Sequence, residues 1–152
     1  MTSKTSQKKP ARKLSNFLCF AVYSANLAFG RAYKPILDKI GLTYTQYIAL
    51  VALWEEDDQT VSSLGEKLFL ESNTLTPILK KLEVMGFVTR RRAAADERQV
   101  VVSLTDKGKQ LGEVGIGNNL VPATRLAPDE FATLQQSVVA LRDNLIESTK
   151  AR

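Results

Sequence analysis

The sequence predicts a mainly α-helical domain that carries a small β-hairpin. Three observations predict it. Apolar residues recur at three- and four-residue spacing along most of the 152 residues, the period of helices with one buried face. Between Gly86 and Thr105 that period gives way to two short runs rich in Val and Arg, joined by a polar tip. Helix starts then return, with Thr105 as a cap and Pro128 as a first-turn residue.

The chain opens on a segment of another kind. Residues 1–13 hold Lys4, Lys8, Lys9, Arg12 and Lys13, no acid, and no large apolar side chain after Met1. Such a segment cannot offset its ordering entropy, so a disordered basic tail is predicted. The chain has 21 Lys+Arg against 16 Asp+Glu, a net charge of +5. The five tail bases account for all of it, and the remainder is neutral. The overall charge alone is therefore weak evidence for a nucleic-acid partner.

Leu14, Phe17, Leu18, Ala21, Ala25, Ala28, Phe29 and Ala32 predict a helix over residues 14–34. Pro35 bends or stops it, and Ile36, Leu37 and Ile40 carry the apolar face on to Gly41. A second helix fits Thr45 to Glu55, with Tyr47, Ile48, Leu50, Val51 and Trp54 as its stripe. The acidic stretch Glu55 to Asp58 then reads as a solvated loop rather than a metal site. Thr60 or Ser62 caps a short helix holding Leu64 and Leu68. Ser72 is the N-cap candidate of a helix through Met85, with Leu75, Ile78, Leu79 and Leu82 inward and Gly86 as terminator.

Phe87 to Arg92 and Gln99 to Leu104 read as the strands of a hairpin with its tip at Ala93 to Arg98. Thr105 caps the next helix, with Asp106 in its first turn, and Gly108, Gly112, Gly115 and Gly117 weaken it. A last helix from Pro128 carries Phe131, Leu134, Val138, Leu141 and Leu145 on one face. This order is that of a winged helix-turn-helix between helical arms. Residues 14–152 form one domain, with 14–43 and 105–152 mainly for dimerisation and 44–104 mainly the winged helix-turn-helix. The long first and last helices bury their apolar faces most simply in a two-fold dimer.

Composition excludes much chemistry. The chain has no His and a single Cys, Cys19. That leaves no Ser-His or Cys-His pair, no His or multi-Cys metal site and no intrachain disulfide. No metal, no cofactor and no enzyme activity are expected. No apolar run approaches the roughly 18 residues of a membrane span, and the basic start is not a secretory signal, so no membrane association and a reducing cytoplasm are the expectation.

The helix starting at Ser72 occupies the recognition position of a helix-turn-helix, whose first residues meet base edges in the major groove. Ser72, Asn73, Thr74 and Thr76 present hydroxyl and amide groups there, and Lys80 adds charge toward phosphate. Residues 80–98 hold six bases against three acids. Arg90 and Arg92 share one face of a strand, and Arg98 near the tip suits a minor groove, with Asp96 to orient its guanidinium. Read alone, Ser-Asn-Thr is equally a capping sequence and each arginine a solvated charge. In their order along a helix-turn-helix and hairpin, they favour double-stranded DNA.

The stretch Gly65 to Leu111, with its wing signature Asp96-Glu97-Arg98 and the run Leu104-Thr105-Asp106-Lys107-Gly108, resembles the MarR family of dimeric winged-helix repressors. Phe17 to Glu55 is similar to the organic-hydroperoxide-sensing branch of that family, the OhrR type. The resemblance places the family's peroxidatic cysteine on Cys19 and its tyrosines on Tyr23, Tyr33 and Tyr44, the last two approaching from the partner subunit. It implies a homodimer on an inverted-repeat operator, with organic hydroperoxide as oxidant.

Cys19, in about the second turn of the predicted first helix, lies where the dipole favours negative charge, Tyr23 at i+4 is placed to bond the sulfur, and Phe17, Leu18, Phe20 and Val22 surround them as an apolar pocket. Some relatives carry a resolving cysteine near the C-terminus. Residues 105–152 here have none, which implies a mixed disulfide with a small cellular thiol, a cyclic sulfenamide or overoxidation. Two other readings stay open on the residues alone: release by a small phenolic or aromatic ligand with Cys19 passive, and a cysteine-dependent thiol peroxidase.

Overall fold

The computed structural model describes residues 12–116 and 120–150. Most of the predicted basic tail, and Gly117, lie outside them. The chain divides into two compact units, Met1–Tyr44 and Thr45–Arg152.

In the first unit, Leu14–Asn16 form a 3-10 turn closed by the Phe17 N–H on the Leu14 carbonyl at 3.1 Å. Phe17 is extended, and α1 runs from Leu18 to Asp38. The helix thus starts four residues later than its apolar spacing predicts. A 3-10 turn also brings i and i+3 to one side, so Leu14 and Phe17 keep the pattern without belonging to the helix. Pro35 neither stops nor ends α1. Its missing N–H removes one bond near the end of the helix, and the chain closes three residues later. Leu42 N–H then bonds the Leu37 carbonyl at 3.1 Å, and both side chains are buried.

The helix α2 (Tyr44–Glu55) leads into the second unit, followed by β1 (Gln59–Thr60), α3 (Val61–Leu68), α4 (Ser72–Val84), β2 (Val88–Arg92) and β3 (Val100–Leu104). Leu50, Leu53, Leu64, Leu75, Leu79, Leu82, Val88 and Val102 are fully buried, while Ile78 is only half-buried. These leucines recur on one face of each helix, so the core follows directly from the helical period.

The predicted hairpin is part of a three-stranded antiparallel sheet in the order β1-β3-β2. In it Gln59 pairs Val102, and Arg90 also pairs Val102 from the other side. A two-residue strand carries no periodic signal of its own. Its buried Gln59 explains it better: the amide donates to the Ala52 and Glu56 carbonyls at 3.0 and 2.5 Å, closing the end of α2.

Caps decide several boundaries. Thr60, not Ser62, caps α3, accepting the Ser63 N–H at 3.1 Å. Glu71 precedes α4, so Ser72 is its first residue rather than its cap. After α4, Gly86 adopts φ 81°, Phe87 N–H bonds the Leu82 carbonyl at 3.0 Å and Gly86 N–H the Glu83 carbonyl at 2.9 Å. That paired closure needs the left-handed backbone glycine supplies.

Thr105 caps α5 (Asp106–Glu113) through the Gly108 N–H at 3.1 Å. A short helix α6 (Leu120–Ala123) and the long α7 (Pro128–Lys150) complete the described chain. The glycines of α5 do more than weaken it. A Cβ on Gly108 would stand 2.2 Å from the Phe87 carbonyl oxygen, and one on Gly112 2.8 Å from the Trp54 ring nitrogen. Trp54 Nε1 donates to the Gly108 carbonyl at 2.9 Å, so α5 lies against the ring where only a glycine face fits.

Candidate functional site

Cys19 is the second residue of α1, in its first turn, and is exposed. It sits in the first turn rather than the second because α1 begins after Phe17. Leu14, Phe17, Phe20 and Tyr23 line a cleft of about 310 Å³ with it. The lining is almost wholly apolar side chain. Leu18 and Val22, expected in this pocket, are exposed and do not line it. They stand four apart on a different stripe of the helix from Cys19 and Tyr23. Leu14 enters in their place because the 3-10 turn folds it back, a role the helical spacing alone does not reveal.

Tyr23 makes no hydrogen bond to the Cys19 sulfur within the chain. Its ring packs instead on Phe20 at 6.3 Å between centroids. Tyr33 and Tyr44 pack together at 5.2 Å. Fourteen residues of helix separate Cys19 from Tyr33, a rise of about 21 Å. Within one chain the structure therefore brings together Cys19 with Tyr23, and Tyr33 with Tyr44, but not the two pairs.

The second cluster lies on the winged unit. Ser72, Asn73 and Thr74 at the start of α4 are exposed, as is Lys80 two turns on, while Thr76 is half-buried with its hydroxyl on the Ser72 carbonyl at 2.7 Å. Ser72 and Thr76 share a groove of about 210 Å³ with Ser62, Arg98 and Gln99. Arg98 thus joins the recognition helix and the wing in one surface.

The arginines separate into two kinds. Arg90, expected to face DNA, is engaged within the fold. Its Nε and Nη2 meet the Glu83 carboxylate at 3.0 and 2.9 Å, and its backbone N–H meets the same group at 3.2 Å. The acid sits seven residues upstream across the α4–β2 turn, where the strand's return places it opposite. Arg92 is exposed and spends one nitrogen on the Glu97 carbonyl at 3.2 Å. Arg98 is exposed, and Asp96 binds its backbone N–H at 3.0 Å rather than its guanidinium. Asp96 therefore shapes the tip turn and leaves the guanidinium to other partners.

The acidic loop also proves structural rather than merely solvated. Asp57 accepts the Leu104 N–H at 2.8 Å, and Asp58, at φ 57°, accepts the Ser103 hydroxyl and stands 3.7 Å from Arg91. Two carboxylates thus hold the return strand of the wing. A carboxylate on a tight turn facing a β-strand's free N–H is a signal visible only once the strand pairing is known.

A recognition helix with exposed short polar residues, a basic wing, and an arm bearing a thiol beside an apolar cleft define a class: winged-helix transcriptional regulators with a cysteine on the arm. The chain belongs to the SarA/Rot family of transcriptional regulators, whose family model matches residues 31–113. It is 41% identical over 135 residues to the organic hydroperoxide resistance transcriptional regulator of Bacillus subtilis, covering 88% of this chain and 92% of that one. It is 45% identical over 145 residues to the HTH-type transcriptional regulator TtmR of Methylorubrum extorquens, covering 94% of this chain and 74% of the relative.

Among solved structures, reduced AbfR bound to DNA, a protein of Staphylococcus epidermidis, superposes with a TM-score of 0.75 at 38% identity, over 88% of this chain and 93% of that one. The resemblance drawn from Cys19, the tyrosines and the Asp96-Glu97-Arg98 wing is borne out at the level of kinship. The family is one of transcriptional regulators, not of enzymes.

Proposed function

We propose that the protein is a homodimeric repressor that holds an inverted-repeat operator while Cys19 is reduced and releases it when an organic hydroperoxide oxidises Cys19. The observation that carries this reading is the placement of the single thiol, exposed in the first turn of α1 at the edge of an apolar cleft of about 310 Å³. A cleft of this chemistry favours an alkyl or aryl hydroperoxide over the small, strongly hydrated hydrogen peroxide. The relative from Bacillus subtilis, named for organic hydroperoxide resistance, supports the same trigger.

In the step itself the Cys19 sulfur attacks the outer oxygen of ROOH. An S–O bond forms, the O–O bond breaks, sulfur loses two electrons, and the organic fragment leaves as the alcohol ROH. With no second cysteine in the chain, the sulfenic acid condenses with a small cellular thiol, giving a mixed disulfide and water. Tyr33 stands too far along α1 to reach the sulfur of its own chain, and Tyr44, at the start of α2, packs on Tyr33, so a second copy supplies both. Residues 14–43 and 105–152 act as the dimerisation region and 44–104 as the DNA-binding part. A regulator that acts on duplex DNA works in the cytoplasm; among the described residues no helix is long and apolar enough to cross a membrane.

On the DNA side, Ser72, Asn73, Thr74 and Thr76 face the major groove, Lys80 and Arg92 face phosphate, and Arg98 enters the minor groove. Arg90 leaves this set, because Glu83 already holds it. The test is operator binding by wild type and Cys19→Ser with cumene hydroperoxide. Wild type is released and Cys19→Ser is not; a released Cys19→Ser overturns the sensing step. A phenol added without oxidant releases neither, and release of both by the phenol points to a ligand-gated repressor instead.

A further inference from the structure

Phe69 sits at a conspicuous corner. It ends α3 and precedes the turn into α4, and it adopts the left-handed conformation, φ 56° and ψ 37°. Its N–H meets the Glu66 carbonyl at 3.4 Å, and the next residue, Leu70, bonds the Gly65 carbonyl at 2.9 Å. Glycine closes such a turn without steric cost, so a phenylalanine here brings a ring at the expense of backbone comfort. That ring is not core: Phe69 is 56% exposed.

What covers it is Arg142 of α7, whose guanidinium carbon lies 4.4 Å from the ring centroid. Asp143 holds the same guanidinium, with Nε and Nη2 at 2.9 and 2.8 Å from its carboxylate. The cation is thus fixed from one side and laid on the ring from the other. A guanidinium over an aromatic face is attractive and directional, and its planar group stacks where an ammonium cannot. The helix α7 has no buried residue, so it is not seated on the rest of its unit by a core of its own.

From these contacts we infer that Arg142 and Phe69 form the joint through which the dimerisation arm sets the position of the helix-turn-helix corner, and so the distance between the two recognition helices on DNA. Both are positioning residues, and neither touches DNA in this scheme. The inference rests on the dimeric, operator-binding reading above. Because the corner leads directly to Ser72, a displacement of α7 against the ring displaces the start of α4.

The experiment compares Arg142→Gln, Phe69→Leu and Phe69→Tyr with wild type, all reduced. Each is bound to the operator, to an operator with one base pair inserted at its centre, and to a single half-site. Arg142→Gln keeps length without charge, Phe69→Leu keeps bulk without a π face, and Phe69→Tyr keeps both. In wild type the insertion weakens binding sharply. In Arg142→Gln and Phe69→Leu the insertion penalty shrinks by about 2- to 5-fold for each of the two joints, while half-site affinity stays at the wild-type value. Phe69→Tyr keeps the full penalty.

A penalty unchanged in Arg142→Gln, which lies on an exposed helix and leaves the core intact, overturns the joint. Half-site affinity that falls together with operator affinity overturns it as well, since that marks a folding role. Failure of wild type to prefer the inverted repeat over a half-site overturns the dimeric reading instead.

Discussion

All eight of the fully buried large side chains among the described residues lie between α2 and β3, whereas α1 contributes one buried residue, Leu37, and α7 none. The two regions have comparable apolar content, but they spend it differently. The winged body turns its leucines onto one another and finishes its polar ends internally, with Gln59 on α2, Thr60 on α3 and Thr105 on α5. The arms leave Leu18 at 62%, Leu134 at 54% and Leu145 at 58% exposure. Exposed apolar side chains of that kind, on each helix taken by itself, are what a second chain would cover in the proposed dimer. On the dimeric reading proposed above, the body is a finished object and the arms are half of one.

The largest expected effect lies in the body. Leu79→Ala removes a fully buried side chain from the core-facing stripe of α4 and costs about 2–5 kcal/mol, read as a lowered urea midpoint. A loss under about 1 kcal/mol would mean that the body does not hold itself together as described. Next comes the close approach of α5. Gly108→Ala drives a Cβ into a backbone oxygen that cannot move aside, and costs about 3 kcal/mol even though alanine favours helix. Gly112→Ala meets the flat Trp54 ring instead and costs about 1–2 kcal/mol. Trp54 is the only tryptophan, so its emission reports the displacement directly. A stabilised Gly112→Ala would restore the simpler view that these glycines merely weaken a helix.

The two arginines sharpen the comparison at the next level down. Arg90→Ala strands the Glu83 carboxylate, and about 1–2 kcal/mol of stability goes with it, the partial exposure of both groups keeping the loss modest. Arg98→Ala leaves stability within about 0.5 kcal/mol, because its side chain supports nothing in the fold. The order reverses in an operator-binding measurement. There Arg98→Ala costs about 1–3 kcal/mol if it reads the minor groove, and Arg90→Ala costs little beyond its folding loss. If both variants weaken DNA binding equally, the division between the structural and the free arginine fails.

These pairs also show where sequence reading stops. The amphipathic pattern of α4, the β-branched run from Val100, the Gly86 terminator and the Thr105 cap are local signals, and each is found where the pattern puts it. β1 and the Glu83–Arg90 pair are set by groups that meet only after the chain has turned, whereas the four-residue delay of α1 comes from a local turn whose three-residue spacing looks helical. Arg90 and Arg98 are the same residue type in the same basic run, and nothing local separates them. The cysteine cleft was legible through Phe17, Phe20 and Tyr23, while Leu14 entered through a 3-10 turn that mimics helical spacing. Asp96 was legible as a partner of Arg98 but not as a partner of its backbone. A two-residue offset serves both equally well.

The smallest effect is also the most telling for the arms. Leu145→Ser on α7 removes an apolar side chain that is already 58% exposed, so for a single chain it changes stability by no more than about 0.5 kcal/mol. If α7 is half of a dimer interface, the same substitution removes buried surface from the assembly twice, once per copy. The loss then appears only where the dimer contributes to stability, and grows with protein concentration by mass action. Unfolding followed at two concentrations a hundredfold apart separates these cases. Wild type should melt higher at the greater concentration, and Leu145→Ser should lose most of that gain while matching wild type when dilute. Leu79→Ala, by contrast, should lower both curves equally, because the core it damages belongs to one chain. A Leu145→Ser defect of the same size at both concentrations would place that leucine in the single-chain core and remove the distinction between arm and body.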